Sequence, residues 1–183
     1  MHSLTHPRLR EIAASVDSVR AQLAALVAAT PRALLTTVAT DGKWNGAQIV
    51  QHLGKVEGST VKMLEGVLST SRAAGIPPDS ATTSLLQSLD RFLVVGQELR
   101  PLVAPERLRP TADADLDASW ASLVTVRERT YRAYATVDGS DLTTVSAPHP
   151  LFGPLNGYEW LLFLGKHEER HIAQLQRQLA ASA

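Results

Sequence analysis

The stretch LLFLGKHEERHIAQLQ, residues 161–176, combines a helical repeat of apolar residues with two histidines four positions apart. His167 and His171 therefore lie on one face of a helix, about one turn from each other. The same face carries Trp160 and Leu164, which indicates that it is the buried face. Two imidazoles at this spacing are a common way for one helix to hold a metal ion. The stretch predicts a buried helix with two candidate metal ligands.

Hydrophobic periodicity predicts helices along most of the chain. The predicted helices cover residues 7–28, 45–70, 82–100, 113–136 and 156–180, with approximate ends. Two capping boxes, Asn45 with Gln48 and Asn156 with Glu159, mark the starts of the second and the last of them. The expected fold class is all-α, a bundle of five helices or of four major helices with an extra one at the N-terminus.

Three irregular segments separate the helices, near residues 29–44, 71–81 and 137–155. Strand patterns are weak, although the segment LLTTVAT at residues 34–40 fits a locally extended chain. No linker divides the sequence, so we expect a single domain over residues 1–183. Long loops in a compact domain often form the walls of a functional pocket.

Charge and composition exclude several classes of protein. Lys plus Arg and Asp plus Glu each number 18, so no positive surplus points to a nucleic-acid partner. No apolar run approaches the roughly 20 residues of a membrane span. The N-terminal segment MHSLTHPRLREI lacks the pattern of a signal peptide, so we expect a cytoplasmic protein. Because cysteine is absent, a metal must be held by His, Asp or Glu, and any thiol must arrive as a cosubstrate.

A third histidine, His52, lies between Ile49 and Val56 on the apolar face of the second predicted helix. A metal shared with His167 and His171 would satisfy its ring nitrogens and leave one or two coordination positions open, as in catalytic sites. The alternative for His52 is a core histidine bonded to a backbone carbonyl or a hydroxyl. The alternative for the other two is a partly exposed helix flank, and the spacing by itself leaves both alternatives open.

Two segments carry a resemblance to a known family. WNGAQIVQHL, residues 44–53, resembles the motif that opens the second helix of the DinB/YfiT-like superfamily, which reads Trp, a Ser or Thr cap, Glu or Gln, then His-Leu. HPLFGPLNGYEWLLFLGKHEERHIAQL, residues 149–175, is similar to its second signature, a His-Pro-x-x-Gly loop followed by a helix ending His-x-x-x-His-x-x-Gln. The DinB_2-type branch is the nearest. The sequence departs from the family at Asn45, where Ser or Thr is usual, and at Gln48, where Glu is common.

The resemblance implies a four-helix bundle with up-down-down-up connectivity and an extra helix or long loops. It also implies one divalent transition metal held by His52, His167 and His171, with zinc or nickel favoured and iron or manganese as alternatives. Relatives with a known activity are thiol-dependent: S-transferases for low-molecular-weight thiols, and a maleylpyruvate isomerase that uses one. Other relatives have no assigned reaction, and many are known only as stress-associated proteins.

Other residues near these motifs receive less specific predictions. His149 is a candidate catalytic residue, because its loop could bring it to the metal as a proton shuttle or a substrate contact; capping of the last helix is the alternative. Glu57, Glu168 and Glu169 are interpreted as solvated or as supporting the ligands, because exposure is the usual state of Glu. Trp44 is interpreted as a core or helix-junction anchor.

The function that the sequence favours is metal-dependent transfer of a small thiol to an electrophilic substrate. A hydrolase whose nucleophile is a water activated by the metal is the enzymatic alternative. A stress-associated bundle that binds a metal or ligand without turnover is the non-enzymatic alternative. The expected partner is a small-molecule substrate, with no nucleic acid and no membrane, and a homodimer is the default assembly.

Overall fold

Long α-helices account for most of the structure, a computed structural model that describes residues 4–37, 43–90 and 104–181. Within those ranges the helices are α1 Pro7–Ala29, α2 Arg32–Thr36, α3 Gly46–Ala74, α4 Leu116–Ala135 and α5 Gly157–Ala181. An antiparallel hairpin of β1 Ser146–His149 and β2 Gly153–Asn156 precedes α5. Short 3₁₀ turns occur at Glu106–Leu108 and Leu142–Thr144. The prediction of an all-α bundle is confirmed, and the four long helices end within a few residues of the predicted positions.

The two predicted capping boxes are present. The Asn45 side chain accepts a hydrogen bond from the Gln48 backbone N–H (2.9 Å), and the Gln48 side chain accepts one from the Asn45 N–H (3.0 Å). Asn156 and Glu159 exchange the same pair of bonds, each 3.0 Å long, at the start of α5. These bonds satisfy backbone donors that have no partner within the helix, and so fix where α3 and α5 begin. Helix α3 ends at Gly75, whose φ of 88° favours glycine.

Helices α1 and α5, the first and last of the bundle, are neighbours that run in the same direction. Gly165 of α5 lies against Val16 of α1, close enough that an added Cβ would be 3.0 Å from a Val16 methyl group. About one turn further along both helices, Arg20 donates to Glu168 over 2.6 Å. Because the contacts advance together along both helices, α1 and α5 are parallel.

Helix α4 runs opposite to α1 and alongside α3. Arg20 donates to the carbonyl of Leu123 (3.1 Å), whereas Asp17, one turn earlier on α1, accepts from Tyr131, two turns later on α4. The close pairs between α3 and α4 are Gly54 with Leu123 and Gly58 with Val126. These pairs advance together, so α3 and α4 are parallel to each other and antiparallel to α1. The order is up, down, down, up, as the family resemblance implied.

Four charged side chains, one from each long helix, meet in the interior; we call Arg20, Glu57, Arg127 and Glu168 the ion clasp. Arg20 binds Glu168 (2.6 Å) and Glu57 (3.2 Å), and Arg127 binds Glu57 (2.7 Å) and Glu168 (3.1 Å). Burial on its own lowers the pKa of Arg127, but the neighbouring carboxylates of Glu57 and Glu168 together outweigh this effect, and the pKa is raised. The interpretation of Glu57 and Glu168 as solvated is wrong, because their side chains are only 4% and 2% exposed.

The crossover from α3 to α4 differs from the prediction of a helix over residues 82–100. The prediction is wrong for residues 82–89, which form no helix, whereas Asp90 is helical and residues 91–103 lie outside the described part of the chain. Asp79 accepts from the N–H of Ala81 (2.8 Å), and Arg8 binds both the carbonyl (3.1 Å) and the hydroxyl (2.6 Å) of Thr83. These side-chain bonds compete with the helical pattern for the backbone groups of this segment.

The hairpin and helix α2 were not predicted. LLTTVAT was expected to be extended, but its first residues belong to α2 and residues 38–40 lie outside the described ranges. The hairpin strands are only four residues long and each contains a proline, so the sequence shows no alternating pattern. Strand β1 is instead held by tertiary contact, because the Trp160 indole N–H donates to the Ala147 carbonyl over 3.1 Å.

One helix in the described part of the chain, α1, is long and apolar enough to cross a membrane by length and composition, with a mean hydropathy of 1.3. No membrane span was expected from the sequence, but the length and composition of α1 do not exclude one. In the structure α1 is a bundle helix, and its large apolar side chains lie in the core: Leu9, Ile12, Val16, Val19 and Leu23. Part of its apolar character comes from exposed alanines: Ala14, Ala21, Ala25, Ala28 and Ala29.

The close approach of α1 and α5 predicts opposite effects for two Gly→Ala substitutions. Gly165→Ala should lower the free energy of unfolding by about 1–3 kcal/mol, because the new methyl group would crowd Val16. Gly66→Ala, on an exposed face of α3 with no atom near the new Cβ, should raise it by about 0.5–1 kcal/mol through helix propensity. Urea unfolding of both variants tests this, and equal stabilisation by both would contradict the packing of α1 on α5.

Candidate metal centre

The three predicted histidines come together between α3 and α5. One ring nitrogen each of His52, His167 and His171 lies within 4.8 Å of the others. The Nε2 atoms of His167 and His171 are 3.2 Å apart, as expected for residues one turn apart on a helix. His52 and His171 are buried and His167 is half-buried. The structure thus places all three histidines in one cluster at the bundle interior.

Hydrogen bonds fix the protonation of two of the rings. The Nδ1–H of His52 donates to the carbonyl of Leu108, 2.7 Å away, in the 3₁₀ turn before α4. The Nδ1–H of His171 donates to the side-chain oxygen of Gln174 over 2.9 Å. Because these oxygens only accept, Nδ1 of each ring holds the proton and Nε2 keeps a lone pair. Metal-binding histidines are usually oriented by bonds of this kind.

The spacing of the nitrogens is compatible with a shared ion. Two Zn–N bonds of about 2.0–2.1 Å separate their nitrogens by about 2.9 Å at a right angle and by about 3.4 Å at the tetrahedral angle. The 3.2 Å between His167 and His171 lies between these values. In metal-free protein the same distance suits a hydrogen bond from His167 Nε2–H to His171 Nε2. The His167–His171 pair therefore fits a divalent metal, and His52, with a ring nitrogen within 4.8 Å of both, is the available third donor.

The histidines of this cluster are neutral at physiological pH. Burial lowers the pKa of His171 to about 4, with a further contribution from the charge that His52 would carry. Burial and the two neighbouring rings hold the pKa of His167 well below its usual value. Burial also lowers the pKa of His52, against the opposing effect of its bond to Leu108. Protons therefore do not occupy the nitrogen lone pairs that a metal would need.

Two aromatic side chains flank the cluster. The Trp44 ring centroid is 4.6 Å from that of His52 and 6.3 Å from that of His171, on which it stacks. Phe163 stacks on His167 with centroids 5.6 Å apart. Trp44 was interpreted from sequence only as an anchor, but it also covers one side of the histidines. Apolar walls strengthen electrostatic interactions between groups that they enclose.

His149 lies beside the cluster, on the far side of Phe163. The Phe163 ring is 4.6 Å from His149 and 5.6 Å from His167, centroid to centroid. The Nδ1 atom of His149 accepts the backbone N–H groups of Leu151 (3.2 Å) and Phe152 (3.3 Å), so this ring closes the turn of the hairpin. Burial lowers its pKa to about 4. Its predicted catalytic role stays a prediction, and helix α5 is capped by its own capping box instead.

Sequence reasoning did not assign the partners that orient the ligands, although the Gln of the His-x-x-x-His-x-x-Gln signature is one of them. Gln174 lies three residues after His171, and this helical spacing was a usable signal for the bond between them. The Leu108 carbonyl is 56 residues from His52, and no local pattern could have indicated it. Gln48, where the family often has Glu, is committed to its capping box and to the Thr111 carbonyl (3.2 Å). Glu169 is exposed and pairs with a lysine on its own helix.

Comparison with known proteins agrees with this architecture. A family model described as the DinB superfamily matches residues 15–175. The chain is 28% identical over 136 residues to the uncharacterized protein YuaE of Bacillus subtilis (strain 168), a match that covers 73% of this chain and 76% of that protein. The crystal structure of TT2238, a four-helix bundle protein, superimposes with a TM-score of 0.57 and 22% identity, covering 92% of this chain and 98% of that chain. The structural likeness supports the fold alone.

The buried state of His149 predicts a pH dependence of stability in metal-free protein. An unfolded histidine binds a proton below about pH 6.5, whereas folded His149 binds one only below about pH 4. The free energy of unfolding should therefore fall as the pH drops between these values. His149→Asn, whose side-chain oxygen can replace Nδ1 as the acceptor, should reduce the slope by about one proton in this window. Denaturant unfolding from pH 4 to 8 measures the slope, and an unchanged slope would contradict the assignment of a buried neutral ring.

Proposed function

This chain belongs to the DinB superfamily, and on that premise we propose that it is an enzyme that transfers a small thiol to an electrophilic substrate at a divalent metal. The ligands in this proposal are His52, His167 and His171. The observation that carries it is the convergence of three neutral imidazoles from two helices, with their ring nitrogens within 4.8 Å of one another. Zinc or nickel is favoured for a set of nitrogen donors, with iron or manganese as alternatives.

Three protein ligands leave at least one coordination position for a substrate, which is typical of catalytic rather than structural metal sites. A divalent ion supplies positive charge there, which lowers the pKa of a bound thiol or water. The chain has no cysteine, so the sulfur nucleophile in this proposal is a low-molecular-weight thiol that binds as a cosubstrate. The carboxylates Glu57 and Glu168 are each bound to two arginines, which leaves them poor candidates for a general base.

The protein contributes orientation and exclusion of water in this proposal. Leu108 and Gln174 hold the rings of His52 and His171, so the donor atoms need little rearrangement when a metal binds. Trp44 and Phe163 form apolar sides that restrict water near the reacting groups. For His149 we propose a substrate contact: because Nδ1 accepts two backbone bonds, Nε2 holds the proton and is a donor, not a base.

Two alternatives use the same residues. In the first, the nucleophile is a water activated by the metal, and the enzyme is a hydrolase. In the second, the chain is a stress-associated bundle that binds a metal or ligand without turnover. The proposal includes a cytoplasmic location, a small-molecule substrate, no nucleic-acid or membrane partner, and a homodimer as the default assembly.

The first prediction of this proposal concerns metal content. Protein purified without a histidine tag should contain about one transition-metal ion per chain by elemental analysis, the stoichiometry of a mononuclear site. His52→Ala and the double variant His167→Ala/His171→Ala should lose most of it, whereas the control His149→Asn should keep it. Chelation should lower the melting temperature, because a metal that binds only the folded state stabilises it.

Several results would contradict the metal site. Wild-type protein that stays metal-free after incubation with zinc, nickel, iron and manganese would overturn it. Full stoichiometry and affinity in His52→Ala would show that the two helices do not share an ion. An unchanged melting curve after verified metal removal would argue against a buried site.

A second prediction separates the three functions. In cobalt-substituted protein, a low-molecular-weight thiol should shift the visible absorption bands, because it enters the open position as a soft donor, and it should raise the melting temperature. A hydrolase should respond to azide but show no thermal protection by thiols. A bundle with every ligand position filled should respond to neither. The matched control is a methyl thioether of the same thiol, which cannot form a thiolate and should have a much smaller effect.

A further inference from the structure

The two carboxylates of the ion clasp belong to the same helices as the histidines. Glu57 follows His52 by five residues on α3, which corresponds to about 7.5 Å along the helix axis. Glu168 lies between His167 and His171 on α5. The clasp and the histidine cluster therefore draw on the same two helices, and the separation of α3 and α5 affects the geometry of both.

Each arginine of the clasp bridges α3 to α5. The Nη2 of Arg127 donates to Glu57 and to Glu168, both over 3.1 Å. The Nη2 of Arg20 donates to Glu57 over 3.2 Å and to Glu168 over 3.1 Å. The two arginines come from α4 and α1, the helices that carry none of the three histidines. The spacing of the histidine helices thus depends on the other half of the bundle.

The two carboxylates would repel each other without this bridge. Their side chains are 4% and 2% exposed, so water screens their charges poorly. Loss of one guanidinium leaves two buried negative charges for one positive charge, which favours separation of Glu57 from Glu168 and hence of α3 from α5. Metal sites require ligand positions within a few tenths of an ångström, so even a small movement affects His52 relative to the other two ligands.

We propose that Arg20 and Arg127 are positioning residues for the metal centre, because they set the α3–α5 separation at which His52 meets His167 and His171. This inference rests on the proposed function only in requiring that the three histidines bind a metal. It adds that two arginines control metal affinity and ligand-field geometry. The structure shows no hydrogen bond between either arginine and a histidine ligand.

The test is cobalt titration of metal-free protein, with Arg127→Met and Arg127→Lys compared against Arg129→Met. Arg129 joins α4 to α3 through Glu65 (2.7 Å), as Arg127 joins them through Glu57, but the Arg129 side chain is 43% exposed. Arg127→Lys keeps the charge but loses the planar fork that reaches both carboxylates. All titrations are made at a temperature and pH where circular dichroism shows each protein fully folded, so that affinity is separated from stability.

We expect Arg127→Lys, and Arg127→Met if it folds, to bind cobalt about tenfold or more weakly and with shifted visible absorption bands. Arg129→Met should keep the wild-type affinity and spectrum. A purely structural role for Arg127 would change the unfolding curve but not the spectrum. Wild-type affinity and bands in folded Arg127→Lys would overturn this inference and leave the metal site intact. Absence of cobalt binding by the wild type would overturn the proposed function and this inference together.

Discussion

The ion clasp buries two positive and two negative side chains at one point in the interior. The rest of the bundle depends on keeping these charges paired. A buried carboxylate or guanidinium is tolerated only with its partners in place, and removal of one member of such a pair typically costs about 3–5 kcal/mol. Because each long helix contributes one member, a shift of any helix along its axis would break bonds to two others. Apolar packing alone would allow each helix several positions along its axis, whereas the bonds of the ion clasp form at only one of them.

The bundle holds two polar clusters of different character. The clasp consists of charges that neutralise one another, and its carboxylates are fully used by arginine and by the hydroxyl of Thr130 (3.0 Å). The histidine cluster consists of neutral rings with one nitrogen each that converge, and the outer nitrogens of His52 and His171 are held by hydrogen bonds. The ion clasp stabilises the arrangement of the helices, and the histidine cluster is suited to bind a ligand within that arrangement. This division explains why Glu57 and Glu168, although close to the histidines in sequence, are not available for chemistry.

Sequence patterns were sufficient where the deciding interactions are local. The periodicity and the capping boxes gave the long helices, and the spacing of His167 and His171 with the apolar setting of His52 gave the candidate ligands. The patterns failed where contacts distant in sequence decide. Residues 82–89 have helical periodicity, but Arg8 binds the carbonyl of Thr83 in this segment. The hairpin has no strand pattern and is held by Trp160. The clasp could not be predicted, because exposure is the usual state of glutamate.

The parallel pairing of the first and last helices has a consequence for biosynthesis. The bond between Arg20 and Glu168 closes a loop of 148 residues. At a typical elongation rate of about 5–20 residues per second, α1 waits roughly 7–30 s for its partner to be synthesised. During that time its core-facing leucines and valines are without α5, and neither the clasp nor the histidine cluster can form. Bundle closure therefore waits for the synthesis of α5, and until then the core-facing side chains of α1 lack the helix that covers them.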